Sequence, residues 1–190
     1  MRSKNILGVL CLLALAVLTA FAQETEKRPD VPYVPTKHEV VEGMLKLAEV
    51  KRTDKLYDLG SGDGRIVIAA AKQYGAVGVG VDISATLVEE AKANAEKEGV
   101  SKLATFKQGD IFDLDFSDAT VVTLYLLPDI NLKLRPILWE QLKPGTRVVS
   151  HAFSMGDWKP EKTIEVEGAT LYLWRIPEKK PDDKAADTDQ

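Results

Sequence analysis

The chain has 190 residues, enough to bury one sizeable core, and its 45% apolar and 28% charged residues are an ordinary globular proportion. Its formal net charge of -4 argues against a general polyanion binder, so no nucleic acid partner is expected. One cysteine (Cys11) and two histidines (His38 and His151) exclude a disulfide framework and a Cys/His zinc site, so no metal is expected.

Residues 1–22 read as a targeting segment outside the fold. Arg2 and Lys4 precede an apolar run from Ile6 to Ala22, which ends in Ala20-Phe21-Ala22 before the polar QETEK. Ala-Phe-Ala favours a signal peptide cleaved after Ala22 and an exported, periplasmic domain. The alternative is an uncleaved anchor with the domain facing the cytoplasm, since ~17 apolar residues are at the lower limit for spanning a bilayer. Either way, membrane association runs through residues 6–22.

Residues 23–35 are polar and proline-rich, an extended arm. Thr36 and Glu39 match a capping box opening a helix over about 37–50, with Val40, Met44, Leu47 and Ala48 at helical spacing. KLYDL over Lys55–Leu59 is a strand, and Arg65–Tyr74 a helix stopped by Gly75. Val77–Asp82 is a buried strand, followed by a helix from Ser84 to about Glu98. Strands follow at Ala104–Lys107 and Thr120–Leu127, then a helix over Asp129–Leu142 that Pro136 should kink or break. Thr146–Ser150, Thr163–Val166 and Thr170–Ile176 complete seven strands, the last two an antiparallel pair.

This alternation predicts a doubly wound, Rossmann-like α/β domain over residues 36–176. It has a mostly parallel seven-strand sheet with helices on both faces. Residues 177–190 are a charged tail expected to be disordered. Ligands bind such sheets beyond the carboxyl ends of the strands, at the switch point.

The loop after the first strand reads Asp58-Leu59-Gly60-Ser61-Gly62-Asp63-Gly64. Gly60, Gly62 and Gly64 let the backbone approach a ligand, and the next helix offers free N–H groups there. The spacing is G-x-G-x-G rather than the G-x-G-x-x-G that seats a pyrophosphate. Asp58 and Asp63 would repel a pyrophosphate and attract a cation. S-adenosylmethionine, with a sulfonium, an ammonium and no phosphate, fits this loop. Asp82, ending the second strand, is placed to accept from ribose hydroxyls. Asp110 after the third strand can accept from an exocyclic amine, with Ile111 packed on the ring.

In order and spacing, Asp58 to Gly64, Asp82 and Asp110 resemble the motif set of class I (seven-strand) S-adenosylmethionine-dependent methyltransferases. The likeness covers about Tyr33 to Ile176. VPYVPT over 31–36, YDLGSGDGRIVIAAA, VVTLYLLPDINLKLRP and KPGTRVVSHAF resemble the small protein lysine methyltransferases. That branch includes the mitochondrial enzymes acting on the ATP synthase c-subunit and the adenine nucleotide translocase, and a broad-specificity archaeal type. The resemblance implies a protein substrate with an accessible lysine and puts Tyr33, Pro35 and Thr36 at the cofactor and substrate pocket.

The fourth strand ends in Tyr125-Leu126-Leu127-Pro128-Asp129, without the Asn/Asp-Pro-Pro-Tyr/Phe cluster that many amino methyltransferases use to hold a base amine. Tyr125 is the candidate catalytic residue. Leu127, Pro128, His151 and Trp158 are candidates to line a lysine channel; His38 reads as a surface position and Trp139 as core. No dedicated general base is visible, and a monomer is expected. The competing readings are a small-molecule methyltransferase on the same scaffold and an exported, non-catalytic Rossmann-like binding module.

Overall fold

The computed structural model describes residues 33–179. The elements run α1 His38–Leu47, β1 Lys55–Leu59, α2 Arg65–Tyr74, β2 Val77–Asp82, α3 Ala85–Lys97, β3 Ala104–Gln108, β4 Val121–Leu124, α4 Pro128–Gln141, β5 Arg147–His151, β6 Lys162–Val166 and β7 Ala169–Arg175. They build one seven-stranded sheet in the order β3-β2-β1-β4-β5-β7-β6. The first five strands are parallel, and β7 runs antiparallel to both β5 and β6. The strand order reverses between β1 and β4, the switch point of a doubly wound sheet.

Alternation along each strand divides the interior in two. Leu56, Val121, Val149, Leu171 and Leu173 pack with α1, α2 and α3 on one face. Tyr57, Val122, Val148 and Trp174 pack with Ile130, Leu134 and Leu138 of α4 on the other. Asp58, Asp82, Thr123 and His151 sit at strand positions of the three-helix parity, at or near the carboxyl ends. Glycine brings that face close: a Cβ on Gly78 would lie 2.6 Å from Val67 of α2.

Several elements differ from the sequence reading. Thr36 does not cap α1; Lys37 is the N-cap and, having no acceptor, makes no side-chain capping bond, while the Thr36 hydroxyl meets His151. The helix ends at Leu47 rather than 50. β4 stops at Leu124, so Tyr125 to Leu127 form the turn into α4, with Pro128 in its first turn. α4 runs through Pro136 unbroken. Burial of Ile130, Leu134, Leu138 and Trp139, each worth about 1.5–3 kcal/mol, outweighs the ~3 kcal/mol that an interior proline costs. Ser84 caps α3 as expected, its Oγ accepting from Leu87 N.

At the opposite edge of the sheet, Arg147 pairs with buried Asp54 and donates to the carbonyls of Ala48 and Glu49. Thr120 also donates to Asp54. This network ties α1, β1, β4 and β5 together away from the glycine loop. Residues 1–22, read above as a targeting segment, and most of the expected arm and tail lie outside the described residues. No helix among the described residues is long and apolar enough to cross a membrane.

Candidate active site

β1 delivers its chain into the glycine loop at the switch point. Gly60 N and Ser61 N both donate to Val81 O, at 2.8 and 2.9 Å, which staples the loop to the end of β2. Gly62 N donates to Asp82 Oδ2 at 2.9 Å, while Asp82 Oδ1 accepts from Ser84 N at 2.9 Å. Asp82 thus organises two turns and keeps further lone pairs for a ligand. Gly60, Gly62 and Gly64 all have positive φ. A Cβ on Gly62 would lie 2.4 Å from the Tyr33 ring, and one on Gly64 2.6 Å from Phe106.

Residues 33–36 cross over this loop as a strap. Arg65 holds it: its guanidinium donates to Thr36 O at 2.6 Å and grips both oxygens of Asp63, the shortest contact also 2.6 Å. The Tyr33 hydroxyl bonds Asp63 as well. Burial acts to raise the Asp63 carboxyl, but Arg65 outweighs it and holds the group below the usual range. Burial and the nearby Asp63 push the Tyr33 phenol up.

Asp58 is different. It is buried, and among the described residues no cation pairs with it. Desolvation pushes its carboxyl up to about 7, with Asp82 and Asp63 adding repulsion and the Thr123 hydroxyl opposing. Of the two loop carboxylates, only Asp58 is left to meet a cationic ligand; Asp63 is neutralised by Arg65.

Beyond β4 and β5 the wall is aromatic. The Tyr125 ring stacks on His151, centroids 3.8 Å apart, and lies 6.4 Å from Phe153. Thr36 Oγ1 stands 3.3 Å from His151 Nδ1. Burial lowers the His151 pKa and favours the neutral ring.

These parts border an open cleft. Of the residues singled out in the sequence, Tyr33, Pro35, Thr36, Asp58, Gly60, Gly62, Asp63, Asp82 and Tyr125 line it. Gly64 instead packs against Phe106 and Ala91. His151 stands behind Tyr125 and Thr36. Asp110 and Ile111 lie one strand further along the same edge: Gly109 N donates to Asp82 O, and Asp110 Oδ1 accepts from Phe112 N. Leu127 and Trp158 pack into the second core, and Pro128 is exposed at the start of α4. The Trp158 ring meets Trp139 edge-on and Trp174 at a tilt, and its carbonyl accepts from Trp174 Nε1, so it belongs to packing rather than to the cleft.

The sequence reading missed Val34, Ser61, Arg65, Ile66, Leu87 and Leu126, all on the cleft wall. The Asp63-x-Arg65 spacing was a usable signal for the clamp. Nothing local marks Leu87 or Leu126, which the docking of α3 and the turn after β4 bring in.

The residues fit a cationic nucleoside ligand. Ser61 Oγ is a buried hydroxyl on the wall with no partner, an orphan a polar ligand would satisfy. The glycine cradle has no room for side chains, and a cation beside Asp58 would favour its ionised form. Residues 58–162 match the sequence profile of the ANTKMT methyltransferase domain. The chain belongs to that family. A protein-lysine N-methyltransferase of Saccharolobus islandicus is 49% identical over 157 residues, covering 80% of this chain and 98% of its own. The human lysine N-methyltransferase of the ATP synthase c-subunit is 33% identical over 157 residues, covering 83% of this chain and 66% of its own. The crystal structure of an RNA methyltransferase from Salinibacter ruber, in complex with S-adenosyl-L-homocysteine, superimposes with a TM-score of 0.78. It is 61% identical, covering 79% of this chain and 98% of its own.

This methyltransferase therefore uses S-adenosylmethionine, which when bound supplies an electrophilic methyl group on a positively charged sulfur. The chain's own contribution is positional. Asp58 would offer its carboxyl to the ligand's charge, the remaining lone pairs of Asp82 would accept from its hydroxyls, and the strap would border it.

Proposed function

We propose that this methyltransferase transfers methyl groups to lysine side chains of a protein lying close to a membrane. The observation that carries the reading is the wall across from the glycine loop. Tyr125 and Thr36 line it and His151 stands behind them, with no charged side chain among these three. Such a slot suits a long alkyl stem ending in an amine, which an aromatic face attracts when it is charged. The lysine specificity named for the Saccharolobus islandicus and human relatives supports the same acceptor, and the human relative's named target belongs to the ATP synthase. Tyr33 and Val34, exposed to 46% and 54%, give the cleft an apolar lip for such a partner. In this reading Asp110 and Ile111 border the adenine, and the chain acts as a monomer.

Residues 1–22 serve in this reading to bring the domain to a membrane. N-terminal sequencing of the natural protein separates the two routes: a start at Gln23 means cleavage and export, an intact Met1 an anchor.

A second reading, an RNA acceptor, is favoured by the name of the 61% identical Salinibacter ruber protein. The net charge of -4 speaks against it. The full chain in detergent, supplied with methyl-labelled cofactor, membrane protein extract and total RNA, tests both. Label recovered as methyl-lysine after acid hydrolysis supports the proposal; label confined to nucleosides replaces it with the RNA reading.

A further inference from the structure

We propose that Thr36 and His151 form a proton relay that removes the acceptor amine's proton at the cleft wall. The proposal rests on the reading that the acceptor is a lysine amine. A lysine arrives as an ammonium, with an ordinary pKa near ~10.4, and has no lone pair to offer until it loses a proton. Asp58 is placed on the cofactor loop, and Asp63 is tied to Arg65. The described cleft wall thus needs another acceptor on the side away from the loop.

Geometry supplies one. His151 is the last residue of β5 and shares a face with Tyr125, which follows β4. The two rings stack at 3.8 Å, which fixes the plane of the imidazole. The chain then turns sharply at Ala152, whose φ of 66° is rare for a side-chain-bearing residue. That turn lets Phe153 N donate to His151 O at 2.9 Å and brings the Phe153 ring toward Tyr125. Backbone strain held beside a binding cleft is a feature of functional sites. Thr36 lines the cleft with its hydroxyl 3.3 Å from His151 Nδ1. Its carbonyl is held separately by Arg65, so the side chain is free for this contact.

Every element packed on His151 leaves it neutral. Its partner across β7 is apolar Leu171. α1 packs against β5 with Val40, Val41 and Met44 buried, while Glu39, Glu42 and Lys46 are exposed. Tyr125 is the titratable group facing it from β4, and Arg65 reaches the strap only through the Thr36 carbonyl. Burial alone lowers its pKa, so the ring meets the ammonium as a free base.

The step balances. An ammonium N–H bond breaks, its electron pair stays on nitrogen, and the proton bonds to Thr36 Oγ1. The hydroxyl's own proton passes to His151 Nδ1. Thr36 is unchanged, the amine is neutral, and His151 is an imidazolium that returns its proton to solvent between turnovers. This requires the ring to carry its resting proton on Nε2.

Two experiments test the relay on the full chain in detergent. With two histidines in the sequence, ¹⁵N-histidine NMR resolves His151 from exposed His38. The relay expects the Nε2-protonated tautomer with a pKa below the ordinary histidine value; an Nδ1-protonated ring overturns it. In the second, methylation rates are measured against pH for Thr36→Val, Thr36→Ser and His151→Gln, with cofactor affinity measured by calorimetry. Thr36→Val and His151→Gln should each lose at least tenfold in kcat at pH 7, the deficit closing toward pH 10. Thr36→Ser should keep most of the rate, the double variant should be no worse than either single one, and cofactor affinity should change less than threefold. Losses that are equal at every pH, or that follow cofactor affinity, overturn the relay and leave the lysine reading intact. A wild-type chain that methylates no protein lysine overturns both.

Discussion

Thr123 Oγ1 donates a 2.8 Å hydrogen bond to Asp58 Oδ1 from the neighbouring strand, and among the described residues it is the one side-chain bond that eases the burial of that carboxylate. The folded protein keeps a proton on Asp58 up to about pH 7, whereas the unfolded chain releases it near 3.8. The folded state therefore binds more protons in that interval, and its stability falls as pH rises from about 4 to about 7. The full cost is about 4 kcal/mol. Asp58→Asn should raise the Tm of the cofactor-free protein at pH 8 and change it little at pH 4, measured by thermal unfolding. A shift of the same size at both pH values would contradict this account.

Cofactor binding should show the opposite trend. A cationic ligand needs Asp58 ionised, so affinity rises with pH and levels off above about 7. Calorimetry at pH 5.5 should find binding about 30-fold weaker than at pH 8. Asp58→Asn should bind weakly at both. A pH-independent affinity in the wild type would exclude Asp58 as the group that meets the charge.

Gly62 and Gly64 should separate binding from folding. An alanine Cβ at 62 meets the Tyr33 ring on the strap, which can swing away. One at 64 meets Phe106 and Ala91, inside the first core. Gly62→Ala should cost cofactor affinity tenfold or more and about 1 kcal/mol of stability. Gly64→Ala should cost about 2–3 kcal/mol through overpacking and left-handed strain together. Urea unfolding and calorimetry on both variants check the contrast.

Arg147→Ala should do the reverse of Gly62→Ala. It strands buried Asp54 at the far edge of the sheet, at a cost of about 3 kcal/mol. Burial acts to raise the Asp54 carboxyl, but Arg147, Lys51 N and Thr120 outweigh it and hold it below its usual range. The pair's stabilisation is therefore present above about pH 4 and lost as pH falls through the lowered value. The variant should lose stability in urea at pH 7 and keep cofactor affinity within twofold. A matching loss of affinity would mean that the two ends of the sheet are coupled.

Residue order alone was enough for the alternating α/β succession, the seven strands and the glycine loop with Asp82 across from it. Those features are written in local patterns: strand alternation, helix periodicity, and glycines where a side chain cannot fit. Asp58 was legible too, because a carboxylate beside such a loop argues against phosphate whatever surrounds it. The remaining roles depended on the fold. Thr36 has the residue type and spacing of a helix cap, but its hydroxyl meets His151, 115 positions away. Asp63 read as a second anionic group until the fold laid Arg65 against it and across to the strap. Trp158 looked like a rim residue, yet its ring is taken up by Trp139 and Trp174. In each case the deciding partner comes from another part of the fold, and a side chain's role there depends on which charge or ring the topology sets beside it.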